Sequence, residues 1–83
     1  MVIKANKGML FVDLTKTTSM RTYTDYNGCK YFEFTVWDNN KNEYSTYTIN
    51  AKDKTDFEKA TNGLFMAIQR GAKTIDLDKY VEE

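Results

Sequence analysis

Two runs of residues alternate with a period of two: Tyr31-Phe32-Glu33-Phe34-Thr35-Val36-Trp37, and Tyr44-Ser45-Thr46-Tyr47-Thr48-Ile49. Successive side chains of a β-strand point to opposite faces, so each run reads as a strand, and the polar Asn39-Asn40-Lys41-Asn42 between them makes a hairpin. This feature constrains the fold most, because aromatic residues fall on both faces of the hairpin. Covering both faces takes two layers of packing. The rest of the chain offers one helix.

That helix is well punctuated. Thr55-Asp56-Phe57-Glu58 fits a capping box with Thr55 as N-cap, and Asp53 and Asp56 add negative charge where the helix dipole favours it. Phe57, Ala60, Leu64, Ala67 and Ile68 recur at helical spacing and form one apolar stripe. Gly71 is the expected stop, with Arg70 just before it. Gly63 lies inside the helix at a cost of about 1 kcal/mol against Ala, so either the helix bends there or a neighbouring backbone comes close.

Upstream, Met9-Leu10-Phe11-Val12-Asp13-Leu14 alternates as a first strand, and Met20 to Tyr26 as a second. Asn27-Gly28 is a strong hairpin signal, and a two-residue loop there sets Tyr26 opposite Cys29, Asp25 opposite Lys30 and Tyr23 opposite Phe32. The third strand runs from Cys29 to Trp37 and the fourth from Glu43 to Ile49, with Trp37 opposite Tyr44 and Phe34 opposite Tyr47. One face then carries Tyr23, Phe32, Phe34, Val36, Tyr47 and Ile49. The other carries Met20, Tyr26, Cys29, Tyr31, Glu33, Trp37 and Tyr44. Thr74-Ile75-Asp76-Leu77 is a candidate short fifth strand, and residues 78–83 form an acidic tail. The expected fold is therefore α+β: a four-stranded antiparallel sheet followed by one helix packed on one face, in a single domain spanning residues 1–83.

Composition excludes several classes of function. The chain has no His, which removes the commonest general base and the commonest metal ligand. Its four Gly residues are scattered, so no phosphate-cradling loop is present. The carboxylates Asp53/Asp56/Glu58 and Asp76/Asp78 lack the spacing of a calcium loop. Cys29 has no His to activate it and reads as a strand thiol. No catalytic residue, metal or cofactor is expected. Twelve basic residues balance twelve acidic ones. Neither half of the chain has the surplus of Lys and Arg that gives non-specific nucleic-acid affinity.

A single cysteine suits a reducing compartment. The opening Met1-Val2-Ile3-Lys4 lacks the apolar run of a secretory signal, and no run approaches membrane-spanning length. The expectation is a cytoplasmic protein without a membrane partner. Ten Lys against two Arg, with plentiful Asn, Thr and Tyr, point to an AT-rich coding genome such as that of low-GC bacteria and their phages.

The helix can cover one sheet face only, which leaves Phe11, Tyr26, Tyr31, Trp37 and Tyr44 as the candidate partner-binding residues. The leading expectation is a non-enzymatic interaction domain, homodimeric and bound to a protein partner through this aromatic face or through its acidic groups. Phage or mobile-element origin, with inhibition of a host protein in the host cytosol, fits the size and composition. The alternative is single-stranded nucleic acid. Asp56-Phe57-Glu58-Lys59, Gly63-Leu64 and Ala67-Ile68, with the strands before them, resemble the ββββα unit of PUR-type repeats, which bind single-stranded DNA or RNA and pair into dimers. The resemblance covers the helix and the strand order and carries over no site residue. Against it, the open face bears Asp13 and Glu33, while Arg21 and Lys30 are expected on the helix side, an arrangement that repels phosphates.

Overall fold

A computed structural model describes residues 1–82. The fold is α+β, with strands preceding one helix as the sequence implies. The strands divide between two three-stranded sheets instead of forming one of four. In the first, β1 (Val2–Ala5) lies between β2 (Gly8–Phe11), its antiparallel hairpin partner, and β6 (Thr74–Asp76), which runs parallel to it. The second is the antiparallel meander β3 (Thr17–Thr24), β4 (Lys30–Asp38) and β5 (Glu43–Asn50).

Strand β1 is an addition to the sequence reading. The Asn6-Lys7 turn that joins it to β2 has positive φ at both positions, as a hairpin turn of mirror-image type requires. Its lack of a Gly hides it in the sequence. The expected first strand, Met9–Leu14, is correspondingly shorter. Beyond β2 the chain turns at Asp13, whose Oδ1 accepts from the amide and the hydroxyl of Thr15.

The β4–β5 hairpin has the register expected of it, with Trp37 opposite Tyr44, Phe34 opposite Tyr47 and Phe32 opposite Ile49. The β3–β4 hairpin is one residue away from expectation. Tyr23 pairs with Tyr31, Thr22 with Phe32, Arg21 with Glu33 and Met20 with Phe34. Asp25 is the cause. Its Oδ1 accepts from the amides of Asn27 and Cys29 while its own amide donates to the Cys29 carbonyl, which closes a three-residue loop, Tyr26-Asn27-Gly28. Gly28 takes φ of 85°, the left-handed residue that completes such a loop. The shift sends Met20 to the inner face and moves Tyr23 and Arg21 to the outer one.

The helix α1 (Phe57–Gln69) begins one residue later than the sequence suggests. Asp56 is the N-cap and accepts from the Lys59 amide. Thr55 is buried and donates its hydroxyl to the Lys52 carbonyl. At the other end the amides of Gly71 and Ala72 donate to the carbonyls of Ile68 and Ala67, a Schellman stop at the expected place. Ala60, Leu64 and Ala67 are buried against Phe32 and Phe34 from the second sheet and against Ile3, Ala5, Ile75 and Leu77 from the segments beside it. Phe57 meets Phe32 edge to face, with ring centroids 5.1 Å apart. Ile68, expected in this stripe, is 39 % exposed.

Residues 78–82 are docked, not a free tail. A short 3-10 turn (Leu77–Lys79) buries Leu77, and both carboxylate oxygens of Asp78 accept from the Asn6 amide. The amide of Glu82 donates to the Lys54 carbonyl, and its side chain pairs with Lys30 at 3.0 Å. The Tyr80 ring lies against Gly63, where any β-carbon would overlap the phenol. The close approach that requires this glycine is thus a side chain, not a backbone. Glu83 lies outside the described residues. Among those described, no helix is long and apolar enough to cross a membrane.

Candidate functional site

Strand β4 is central in its sheet, so its alternation decides what each face presents. Phe32, Phe34 and Val36 point to the helix side. Tyr31, Glu33, Thr35 and Trp37 point away from it, flanked by Ser19, Arg21 and Tyr23 on β3 and by Tyr44, Thr46, Thr48 and Asn50 on β5. None of these outward residues is buried, and all those on β3 and β5 are exposed. The outer face is open.

Its chemistry falls into three zones. At one end Trp37 and Tyr44 meet edge to face, with centroids 4.9 Å apart and planes at 70°. The Trp37 indole Nε1 donates to Asn39 Oδ1 at 2.7 Å, which fixes the ring. At the other end Tyr23 and Tyr31 stack at 5.0 Å with planes 23° apart. The Tyr31 hydroxyl donates to Asp25 Oδ2 at 3.2 Å. That bond, followed by desolvation and the nearby carboxylate charge, holds the Tyr31 phenol above its ordinary pKa.

Between the aromatic pairs lie hydroxyl and amide groups and one ion pair. Arg21 Nε donates to Glu33 Oε2, and the hydrogen bond and charge of Glu33 raise the guanidinium further above its already high range. The same guanidinium sits 5.5 Å from the Tyr23 ring centroid. Arg21 is thus on the open face, contrary to the sequence-based expectation, but its charge is answered by Glu33. Lys30 stays on the helix side as expected, donating to the Thr55 carbonyl and to Glu82. Among the described residues this face carries no unanswered positive charge with which to attract a phosphate backbone.

Of the five residues expected to bind a partner, the structure brings Tyr31, Trp37 and Tyr44 onto this face. Tyr26 sits apart at the tip of the β3–β4 hairpin, 97 % exposed. Phe11 belongs to the other sheet, opposite Val2, and is 72 % exposed. The sequence reading missed Tyr23, which completes the second aromatic pair. Asp25 before Tyr26-Asn27-Gly28 was the signal for it, since an Asp there can bond the loop amides.

The acidic groups do not assemble into a second site. Asp56, Asp76 and Asp78 cap backbone amides and Glu82 pairs with Lys30. Among the described residues no group of three His, Cys, Asp or Glu side chains is arranged to hold a metal ion. Cys29 is exposed beside the hairpin. No family model, no curated protein and no solved structure matches this chain.

Proposed function

We propose that this chain is a non-enzymatic protein-interaction domain that works as a homodimer and engages a protein partner through the outer face of the β3–β4–β5 sheet. One observation carries the reading: this face exposes two aromatic pairs around a neutralised, hydroxyl-rich centre. Rigid Tyr and Trp rings bordered by short polar side chains supply contact area at low entropic cost, which is the composition of protein-binding surfaces. Base stacking would use the same rings, but a single-strand binder also needs a cationic track for phosphates. Here Arg21 is spent on Glu33.

The test places a photoreactive phenylalanine analogue at Thr46, in the centre of the face, and at Glu58 on the helix as control. The proposal expects cross-linking to one partner protein from the Thr46 site alone in native lysate. Titration with single-stranded oligonucleotides is expected to leave Trp37 fluorescence unchanged. Quenching that weakens steeply as salt rises would replace the protein partner with nucleic acid.

A further inference from the structure

Strand β3 is an edge, bonded among the described residues to β4 alone. The amide of Asp25 donates across to Cys29, so Tyr23 and Arg21, two and four residues back, direct their backbone groups to β4. Met20, Thr22 and Thr24 therefore direct N–H and C=O outward from the edge. Native edges are commonly protected by Lys, Pro or irregularity. This one has neither Lys nor Pro, and its bulge between Thr17 and Ser19 leaves residues 20 to 24 regular.

Beside that edge runs an apolar groove between β3 and α1, with a volume of about 310 Å³. Met20 and Phe34 form its floor, and Leu64, Phe65 and Ile68 line the helix side. Thr18 and Thr61 supply hydroxyls at its rim, and no ionisable side chain lines it. Close to the other end of β3, Tyr26 makes no side-chain hydrogen bond and no ring contact among the described residues.

We infer that a second copy of this chain pairs with the β3 edge and seats its Tyr26 in this groove, reciprocally across a two-fold axis at Thr22. The inference rests on the homodimer reading and names its interface. Antiparallel pairing of two identical edges joins even-numbered residues, which leaves few registers. Centred on Arg21, the two guanidinium groups oppose each other and repel. Centred on Met20, each Arg21 faces only the Ser19 of the second copy. Centred on Tyr23, it faces Asp25, which lies beyond the end of β3 and whose carboxylate already accepts from two loop amides and the Tyr31 hydroxyl. Centred on Thr22, each Arg21 faces the Tyr23 ring of the second copy, a cation–aromatic contact. Met20 faces Thr24, and the chain beyond Thr24 carries Tyr26 past Thr18 to the mouth of the groove. The ring enters apolar lining and its hydroxyl stays near the rim hydroxyls.

The size of the contact agrees. In this register residues 18–26 of one copy face residues 26–18 of the other, a span of ~27 Å at strand rise. Across the molecule's shortest extent of 20 Å, such a contact covers at most ~500 Å² per copy and ~1,000 Å² in total, the least that a specific interface should clear. The two sheets become one of six strands, and the two open faces become continuous.

Sedimentation equilibrium on the full chain tests this. The expected result is a reversible monomer–dimer equilibrium that Tyr26→Ala weakens at least about tenfold, while at dilutions where both proteins are monomeric the two melt at the same temperature. A Thr22→Cys variant in a Cys29→Ser background is expected to oxidise to a covalent dimer, because directly opposed strand residues lie within disulfide reach, whereas Thr24→Cys is not. A dimer untouched by Tyr26→Ala, or one that Thr22→Cys fails to cross-link while folded, overturns this interface and leaves self-association standing. A monomer at high micromolar concentration overturns both. Neither result bears on partner capture by the open face, which Thr46 reports separately.

Discussion

The two faces of the β3–β4–β5 sheet are made from alternate residues of the same strands, yet they use different aromatics. Toward the helix stand Phe32 and Phe34, each 1 % exposed, with Tyr47 beside Phe34 on β5 and 46 % exposed. Away from it stand Tyr23, Tyr31, Trp37 and Tyr44. Phe has no polar atom to satisfy and loses nothing when enclosed. Tyr and Trp keep a polar tip that must reach water or a partner. Trp37 reaches Asn39 and Tyr31 reaches Asp25. Within one sheet, aromatic identity therefore reports enclosure: the two Phe rings are shut in, while Tyr and Trp on either face stay at least partly open. The inner rings hold the fold together, and the outer rings are held in position by it.

The largest expected effect breaks the inner face. Phe32→Ala and Phe34→Ala should each lose about 3–5 kcal/mol, measured by urea denaturation, because each removes a fully enclosed ring and leaves a cavity. In a domain whose total stability is about 5–15 kcal/mol, either change should unfold much of the population. Leu64→Ala should cost about 2–5 kcal/mol on the same measurement. Ile68→Ala should cost less than Leu64→Ala, because Ile68 lies at the exposed lip of the helix. Equal losses at the two positions would mean that the helix is rotated from the orientation described.

A contrast between hairpins explains what was legible in the sequence. The β4–β5 register followed directly from its alternation and its four-residue polar loop. The β3–β4 register did not, because Asn27-Gly28 serves two loop lengths and only the Asp25 carboxylate selects the longer. Side-chain chemistry would have corrected the slip: the two-residue loop put apolar Met20 outside and Tyr23 inside, and the structure reverses both. The helix stripe and its stop at Gly71 were legible from spacing. Its true cap was not, since Thr55 and Asp56 are both good N-caps and burial of Thr55 decides between them. Strand β1 was missed because four residues are too few to show a period, and its stability comes from β6, seventy residues away. The C-terminal segment read as an acidic tail because its anchors, Leu77 and Tyr80, are single residues with no periodicity.

Gly63 supplies an intermediate effect with a change of sign. In the natural chain Gly63→Ala should destabilise, because the new methyl group displaces Tyr80. In a Tyr80→Ala background the same change should stabilise by about 0.5–1 kcal/mol through helix propensity. Thermal melts of the four proteins complete the cycle.

The outer face should show smaller effects. A double-mutant cycle between Tyr23→Ala and Tyr31→Ala should give a coupling of about 0.5–1.5 kcal/mol, as for stacked pairs elsewhere. Glu33→Gln should cost little on the same measurement, since its Arg21 partner is largely in solvent. The smallest effect is a titration. The folded-state pKa of Tyr31 is raised, so its hydrogen-bonded phenol contributes stability that is fully present below the ordinary tyrosine range near pH 10 and is lost as pH rises through the folded value. Absorbance at alkaline pH should show one tyrosine ionising late. Asp25→Asn, which keeps an oxygen for the loop amides and removes the charge, should bring that titration back toward the others.

In the proposed division of roles, the outer aromatics serve binding while the inner ones serve folding. The double variant Trp37→Ala/Tyr44→Ala tests it most directly when its melt is read beside recovery of the partner cross-linked at Thr46. The expected result is a cooperative melt shifted by no more than a few degrees, with the cross-linked partner lost. A collapsed melt would place Trp37 and Tyr44 in the core, and a retained partner on a folded variant would move the binding surface elsewhere.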